Sequence, residues 1–202
     1  MSLTASTMME LGTAIPSFSL PEVRTGKMVR VPEGLTPQGA PILVMFICRH
    51  CPFVIHVRNE LARIGRDYAG KVAIIAISSN DAGSVADDSP ERLKAMAEEL
   101  SFTFPFCYDE TQDVAIRFSA ACTPDIFLFD KDQKLAYRGQ LDGSRPSNSV
   151  QVDGRDLRAA MDALLKGARP AAAQQPSTGC NIKWKPGKQP AYYHSALVNK
   201  NR

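Results

Sequence analysis

Apolar residues come in short blocks along this chain, and the blocks differ in period. Ile42–Ile47 and Val72–Ile77 are unbroken apolar runs, as expected for strands covered on both faces of a parallel sheet. Between them Val54, Val57, Leu61 and Ile64 recur at three- to four-residue spacing, which predicts an amphipathic helix over Phe53–Tyr68, ended by Gly70. Ser89-Pro90-Glu91 supplies an N-cap, a proline at the first helical position and an acid in the first turn, so a second helix starts there and runs to about Leu100. Phe104–Tyr108 is a short extended piece, and Thr111 opens a small helix carrying Val114, Ile116 and Phe118. Ile126–Phe129 reads as a strand, Asp130–Gln133 as a turn and Leu135–Leu141 as its hairpin partner. Asp153 is the expected cap of a last helix, with Leu157, Met161, Leu164 and Leu165 on one face and Gly167 at its end.

Ahead of all this, Phe18–Leu20 and Met28–Val31 alternate weakly around Arg24-Thr-Gly26-Lys, a short hairpin. The order, a hairpin and then β-α-β-α-(β)-α-β-β-α, predicts an α/β sandwich around a mixed central sheet flanked by helices. Three segments are expected. Residues 1–14 form a flexible N-terminus, residues 15–167 one domain, and residues 168–202, rich in Ala, Gln, Pro, Gly and Lys, an extended tail.

Composition narrows the function. The 202 residues, 44% hydrophobic and 22% charged, suit a single domain with a full core. No apolar run approaches the ~20 residues of a membrane span. Met1–Leu11 has neither a basic residue nor an apolar core, so no secretory leader is expected. The net charge of +3 hides an asymmetry: six Lys or Arg and no acid lie from Ala168 onward, leaving 18 basic against 21 acidic residues in the body. Six charges spread along the tail read as a solvated segment, with no nucleic-acid or membrane partner expected. Five cysteines (Cys48, Cys51, Cys107, Cys122 and Cys180) are an odd number, which suits a reducing, cytoplasmic compartment and a catalytic pair better than a disulfide framework.

The chemistry concentrates where the first apolar strand ends. Ile42–Ile47 feeds Cys48-Arg49-His50-Cys51-Pro52 at the mouth of a helix. A Cys-x-x-Cys pair can close a disulfide reversibly, and the attacking sulfur must be a thiolate. Proline is favoured at the first helical position, so Pro52 puts Cys51 at the N-cap, where free N–H groups and the helix dipole stabilise a negative sulfur. Arg49 and a protonated His50 add positive charge. Thr123-Pro124-Asp125 is the second signal. A proline at the entry to a buried strand serves a turn or a cis bond, and a cis Pro124 facing the cysteines leaves room for a substrate chain beside Thr123.

Val44-Met-Phe-Ile-Cys-Arg-His-Cys-Pro52, followed by Cys122-Thr-Pro-Asp-Ile-Phe-Leu-Phe-Asp130, resembles the thioredoxin superfamily. It is most similar to the peroxiredoxin-like branch within the alkyl hydroperoxide reductase/thiol-specific antioxidant group, which also shows the Gly179-Cys-Asn-Ile-Lys-Trp-Lys185 element. The resemblance covers Ile15 to Trp184 and implies a thioredoxin-like fold with an N-terminal β-hairpin extension and an inserted helix near Ser89–Leu100. It implies that Cys51 stands at the nucleophile position, that Cys48 is an extra cysteine upstream, and that Val54 takes the thioredoxin partner position.

Two departures matter. The family's Thr or Ser three residues before the reactive cysteine is Cys48 here, and Pro124-Asp125 stands where an Arg is expected, so the groups that polarise a peroxide bond are missing. The buried acid of thioredoxins falls at Met45. The expected function is thiol–disulfide exchange, with Cys51 attacking and Cys48 resolving. Thr123 and Pro124 would dock the substrate, a protein or small-molecule disulfide or a peroxide, and Arg49, His50, Pro52 and Cys122 would support the site. A thiol reductant completes the cycle and no cofactor is required. A low-efficiency thiol peroxidase is the alternative, and a redox-sensing or metal-handling module the non-enzymatic one. No metal is expected, since zinc wants four ligands and the sole histidine after His56 is His194 in the tail. His56 reads as an ordinary helix histidine, Cys107 and Cys122 as buried small residues, and Cys180 as either part of a structural tail motif or a resolving thiol. Ile182 and Trp184 are too apolar for a fully solvated tail.

Overall fold

A computed structural model describes residues 3–193. Its centre is a five-stranded mixed sheet in the order β6-β5-β4-β8-β9. Strands β4 (Ile42–Phe46), β5 (Ala73–Ser78) and β6 (Phe106–Tyr108) run parallel. Strands β8 (Asp125–Phe129) and β9 (Leu135–Arg138) add antiparallel on the other side of β4. Every residue of β4 is buried, as its unbroken apolar run requires.

The two-residue period of β4 and β8 sorts the core into two halves. Leu43, Met45, Ile126 and Leu128 face one way and pack against helix α1 (Pro52–Asp67), through Val54, Val57, Leu61 and Ile64, and against α2 (Pro90–Glu99) and α4 (Arg155–Leu165). Ile42, Val44, Phe46, Phe127 and Phe129 face the other way, onto α3 (Asp113–Arg117) and the hairpin β2–β3 (Phe18–Pro21, Met28–Val31). Phe118 is the hub of this second half, with ring centroids 5.4 Å from Phe46, 5.5 Å from Phe127, 5.8 Å from Phe18 and 6.0 Å from Phe129. Gly65 lets α1 close on the sheet: a Cβ there would stand 2.7 Å from the Phe104 ring.

Three local expectations need correction. The N-terminus is not loose. Leu3–Ala5 forms β1, paired with β10 (Thr178–Asn181), and β10 pairs in turn with β7 (Cys122–Thr123). Such pairing joins segments far apart in sequence, and neither β1 nor the two-residue β7 has a periodicity to read. The last helix is capped by Gly154, with φ +66°, and not by Asp153. The Asp142 carboxylate takes the N–H groups of both Asp153 (2.9 Å) and Gly154 (2.7 Å) and fixes a left-handed turn there, while the Asp153 carboxylate bonds Arg155. Strand β9 ends at Arg138 because the chain leaves β8 to meet the tail, where the Gln140 N–H donates to the Gln175 carbonyl (2.8 Å).

The tail is extended and runs back across the body. Ile182 and Trp184 are buried in the second core half, which explains their apolar character. Gln112 clamps the segment, donating to the Lys183 carbonyl (2.9 Å) and accepting from the Lys185 N–H (2.8 Å). His194 lies outside the described residues.

Candidate active site

Three chain segments meet at the C-terminal ends of the parallel strands β4 and β5, where open α/β sheets place their ligands. The first is the Cys48–Cys51 loop. The Ile47 N–H still bonds the Ile77 carbonyl (2.9 Å), so β4 stays in register to the brink of the loop. The chain then turns through Arg49 and His50 and enters α1 with Cys51 at the N-cap and Pro52 in the first turn, and no acid stands in that turn. Both sulfurs are fully buried.

The second segment follows β5. Asp88, at the end of a short 3₁₀ turn and fully buried, reaches back to hold the loop. Its Oδ1 accepts the backbone N–H groups of Arg49 (2.8 Å) and His50 (3.3 Å). Its Oδ2 accepts from Asn80 Nδ2 (2.7 Å) and pairs with His50 Nδ1 at 2.5 Å. Burial pushes the Asp88 carboxyl up, but His50, Asn80 and the Arg49 N–H outweigh it and hold it below the usual carboxylate range. His50 Nδ1 also lies 3.8 Å from Cys48 Sγ.

The third segment is Thr123-Pro124, joined by a cis peptide bond as the sequence predicts. The Thr123 hydroxyl is 3.4 Å from Cys48 Sγ, and its carbonyl is 3.2 Å from Cys51 Sγ. Strand β10 lies against this segment with Cys180 directly opposite Thr123. Gly179 makes that approach possible, because a Cβ there would fall 2.0 Å from the Thr123 oxygen.

The five thiols do not share one environment. Hydrogen bonds from Cys180, then Cys48, hold the Cys51 thiol well below its ordinary value; burial opposes them, and Thr123 and the Val54 N–H add to them. When protonated, Cys51 donates to the Thr123 carbonyl. Burial pushes Cys48 well up, reinforced by its hydrogen bond to Cys51 and the charge of Asp88. Cys180 is raised chiefly by its hydrogen bond to Cys51. Burial raises Cys122 well above the ordinary value and Cys107 to about 12. Among these five, Cys51 is the sulfur placed to ionise.

Cys48, Cys51, His50 and Thr123 are therefore brought together, with Pro52 and Pro124 framing them. Arg49 contributes its backbone N–H, while its guanidinium turns to the Arg92 carbonyl (3.5 Å). Cys122 Sγ faces the Pro124 carbonyl (3.6 Å), its side chain alternating away from Thr123. His56 is bonded to the Ser144 hydroxyl (2.7 Å). Asp88 and Asn80 escaped the sequence reading, since Asp87-Asp88 before Ser89-Pro90 looks like the acidic start of a helix. A shallow groove lined by Phe53, His56, Pro124, Arg145, Ser177 and Thr178 opens beside Pro124.

A metal fits this site poorly. The ligand atoms of Cys48, His50 and Asp88 lie within 4.8 Å of one another. Both Asp88 oxygens already take protein donors, however, and three ligands are one short of a tetrahedral zinc shell.

A buried, hydrogen-bonded cysteine pair at a helix start, facing a cis proline from a mixed sheet, defines a thioredoxin-like thiol protein. The AhpC/TSA family model matches residues 11–138, and the chain belongs to that family, the peroxiredoxin-like branch of the thioredoxin superfamily and a family of oxidoreductases. Two solved structures are similar over nearly their whole length. An uncharacterized conserved protein from Geobacillus kaustophilus is 50% identical, with a TM-score of 0.89 over 93% of this chain and 98% of that one. A hypothetical protein from Sinorhizobium meliloti 1021 is 43% identical, with a TM-score of 0.88 over 91% of this chain and 100% of that one. A putative thiol:disulfide interchange protein DsbE from Chlorobium tepidum shares the fold at 20% identity and a TM-score of 0.59, over 77% of this chain and 98% of that one. No curated protein matches. Among the described residues, no helix is long and apolar enough to cross a membrane.

Proposed function

We propose that the protein is a thiol–disulfide oxidoreductase in which Cys51 attacks and Cys48 resolves. The observation that carries this reading is the asymmetry of the pair. Cys51 caps α1 and accepts hydrogen bonds from neighbouring thiols, while Cys48 is held protonated beside it, in contact with Thr123 and His50. The Cys51 thiolate attacks one sulfur of a substrate disulfide, the S–S bond breaks, and the first substrate thiolate leaves. Cys48 then gives its proton toward the His50–Asp88 pair and attacks Cys51 Sγ, releasing the second thiolate and closing a Cys48–Cys51 disulfide. The substrate gains two electrons and the cysteine pair loses them. A thiol reductant returns the pair to its starting state. Pro124 lines a groove that stops short of both buried sulfurs, so substrate entry requires the segments over Cys51 to open, and Thr123 and Pro124 would then shape its docking. The odd cysteine count supports a reducing compartment, the cytoplasm.

The family match favours a second reading, a thiol peroxidase in which Cys51 is oxidised to the sulfenate and Cys48 condenses with it, releasing water. It ranks lower because Asp125 replaces the expected Arg and the Arg49 guanidinium is turned away. Peptide mapping after mild oxidation tests the pair: a Cys48–Cys51 disulfide is expected. A disulfide-reduction assay should lose its activity in Cys51→Ser, and full activity in that variant overturns the assignment. A coupled peroxide assay ranks the two reactions.

A further inference from the structure

We propose that Cys180 is a second resolving thiol for Cys51, carried by a strand of the chain itself that occupies the substrate-docking edge. This rests on Cys51 being the attacking sulfur.

The geometry begins with register. In an antiparallel pair, residues directly opposite each other project to the same face. Cys180 is opposite Thr123, and the Thr123 side chain contacts Cys48. Cys180 therefore projects toward the cysteine pair, and Cys48, Cys51 and Cys180 pack in one buried cluster. Cys122 is opposite Asn181 and projects to the other face, so proximity in sequence to Thr123 does not make it a partner.

The closeness of the strand is built in. Gly179 lets β10 approach the Thr123 carbonyl, and the Ile182 N–H bonds the Ala121 carbonyl (3.1 Å) just beyond. On its far edge β10 is held by β1, with the Ser6 N–H on the Ser177 carbonyl at 2.8 Å. Cys180 is 2% exposed, and the backbone of β7 that a docking substrate strand would use is already paired with β10. A thiol is thus presented to Cys51 from the place where a bound substrate would present its cysteine. With β10 in place no substrate strand can pair with β7, so the substrate inferred for Cys51 is a small-molecule disulfide.

In the proposed step, the Cys51 thiolate attacks a small disulfide RSSR, the RS–SR bond breaks and a first RS⁻ leaves, giving the mixed disulfide Cys51–S–S–R. Cys180 loses its proton and attacks Cys51 Sγ. The Cys51 Sγ–SR bond breaks, the second RS⁻ takes up the proton, and a Cys51–Cys180 disulfide forms. The substrate has gained two electrons, and Cys51 and Cys180 have supplied them.

The test uses Cys48→Ser, with Cys48→Ala as a second variant, each shown to be folded by circular dichroism and treated with glutathione disulfide before peptide mapping. The single variant should yield a peptide linking Cys51 to Cys180. The double variant Cys48→Ser/Cys180→Ser should stop at glutathione bound to Cys51 and release its second glutathione at least ~10-fold more slowly, since the internal thiol's effective concentration is lost. If the single variant also stops at glutathione on Cys51, or links Cys51 to Cys107 or Cys122, Cys180 is not a resolving thiol and the attacking role of Cys51 stands. If no glutathione reaches Cys51 in either variant, the attacking role itself fails and the proposal fails with it.

Discussion

Two helices of this fold start alike and serve different ends. Helix α2 opens Ser89-Pro90-Glu91 and helix α1 opens Cys51-Pro52-Phe53, each with proline in its first turn and an extended N-cap residue. In α2 the anion is Glu91, held below its usual range by its own N–H and the Ser89 hydroxyl. In α1 the first turn has no acid, and the group facing the free N–H end is a sulfur. One helix start is neutralised by an ordinary carboxylate. The other leaves its positive end to the Cys51 sulfur, which neighbouring thiols and N–H groups hold below its ordinary pKa. A proline-capped helix start is therefore general architecture; the missing acid and the cysteine at the cap turn it into a site.

The largest effect follows from removing the anion. Cys51→Ser should lower disulfide-reduction rates by at least ~100-fold, because the proposed nucleophile is removed. The measurement is initial rate with glutathione disulfide, with thermal melting to show an intact fold.

A buried acid without a helix start should behave in the opposite way, and Asp125 is that case. It is fully buried, and burial lifts its carboxyl to about 7 although the Ala121 N–H, the Ser6 hydroxyl and the Cys122 and Ile126 N–H groups oppose the shift. The folded form keeps its proton up to about pH 7, while the unfolded chain gives it up near pH 4, using an ordinary Asp value of about 3.9. Stability should therefore fall as pH rises through that window, by up to ~1.4 kcal/mol per pH unit, and level off above it. Denaturant unfolding across the window should show a steeper fall in wild type than in Asp125→Asn, the difference being the Asp125 contribution, since Asp109 is also raised by burial and persists in both.

Next comes a change that makes α1 resemble α2. Phe53→Glu adds an acid to the first turn of α1, where the side chain is half-buried. A carboxylate there competes for the helix end at roughly 0.3–1 kcal/mol, so the thiolate should weaken and the reaction at acidic pH should slow about two- to fivefold. The mirror-image change, Ser89→Ala, removes a hydroxyl that makes no side-chain cap bond to α2, so it should change stability by no more than ~0.5 kcal/mol and leave thiolate titration unmoved, as read by urea unfolding beside thiolate absorbance.

This contrast was open to sequence reading because it is local. The apolar run Ile42–Ile47, Pro52 and the spacing of Val54, Val57, Leu61 and Ile64 all lie within one stretch, and together they place Cys51 at the cap. Pro124 was legible for the same reason, as a proline at a strand entry. Asp88 was not, because its role depends on reaching the N–H groups of Arg49 and His50 across 39 and 38 positions of chain, and no spacing announces such a contact. The setting of Cys180 was hidden more deeply. Gly179-Cys180 pairs with Thr123 only because β10 fits between β1 and β7, and short strands with no alternation leave no trace in the pattern. The cap of α4 leaves no local signal, since the Asp142 carboxylate, more than ten residues away, decides the turn at Gly154.

The most direct measurement is the thiolate absorbance of the reduced protein, followed from neutral to acidic pH in wild type and in Cys51→Ser. The difference between them should be the ionised Cys51 and should titrate well below the ordinary thiol value of about 8.5. A difference that titrates at or above that value, or a signal retained in Cys51→Ser and lost in Cys48→Ser, would contradict the assignment of Cys51 as the attacking thiolate.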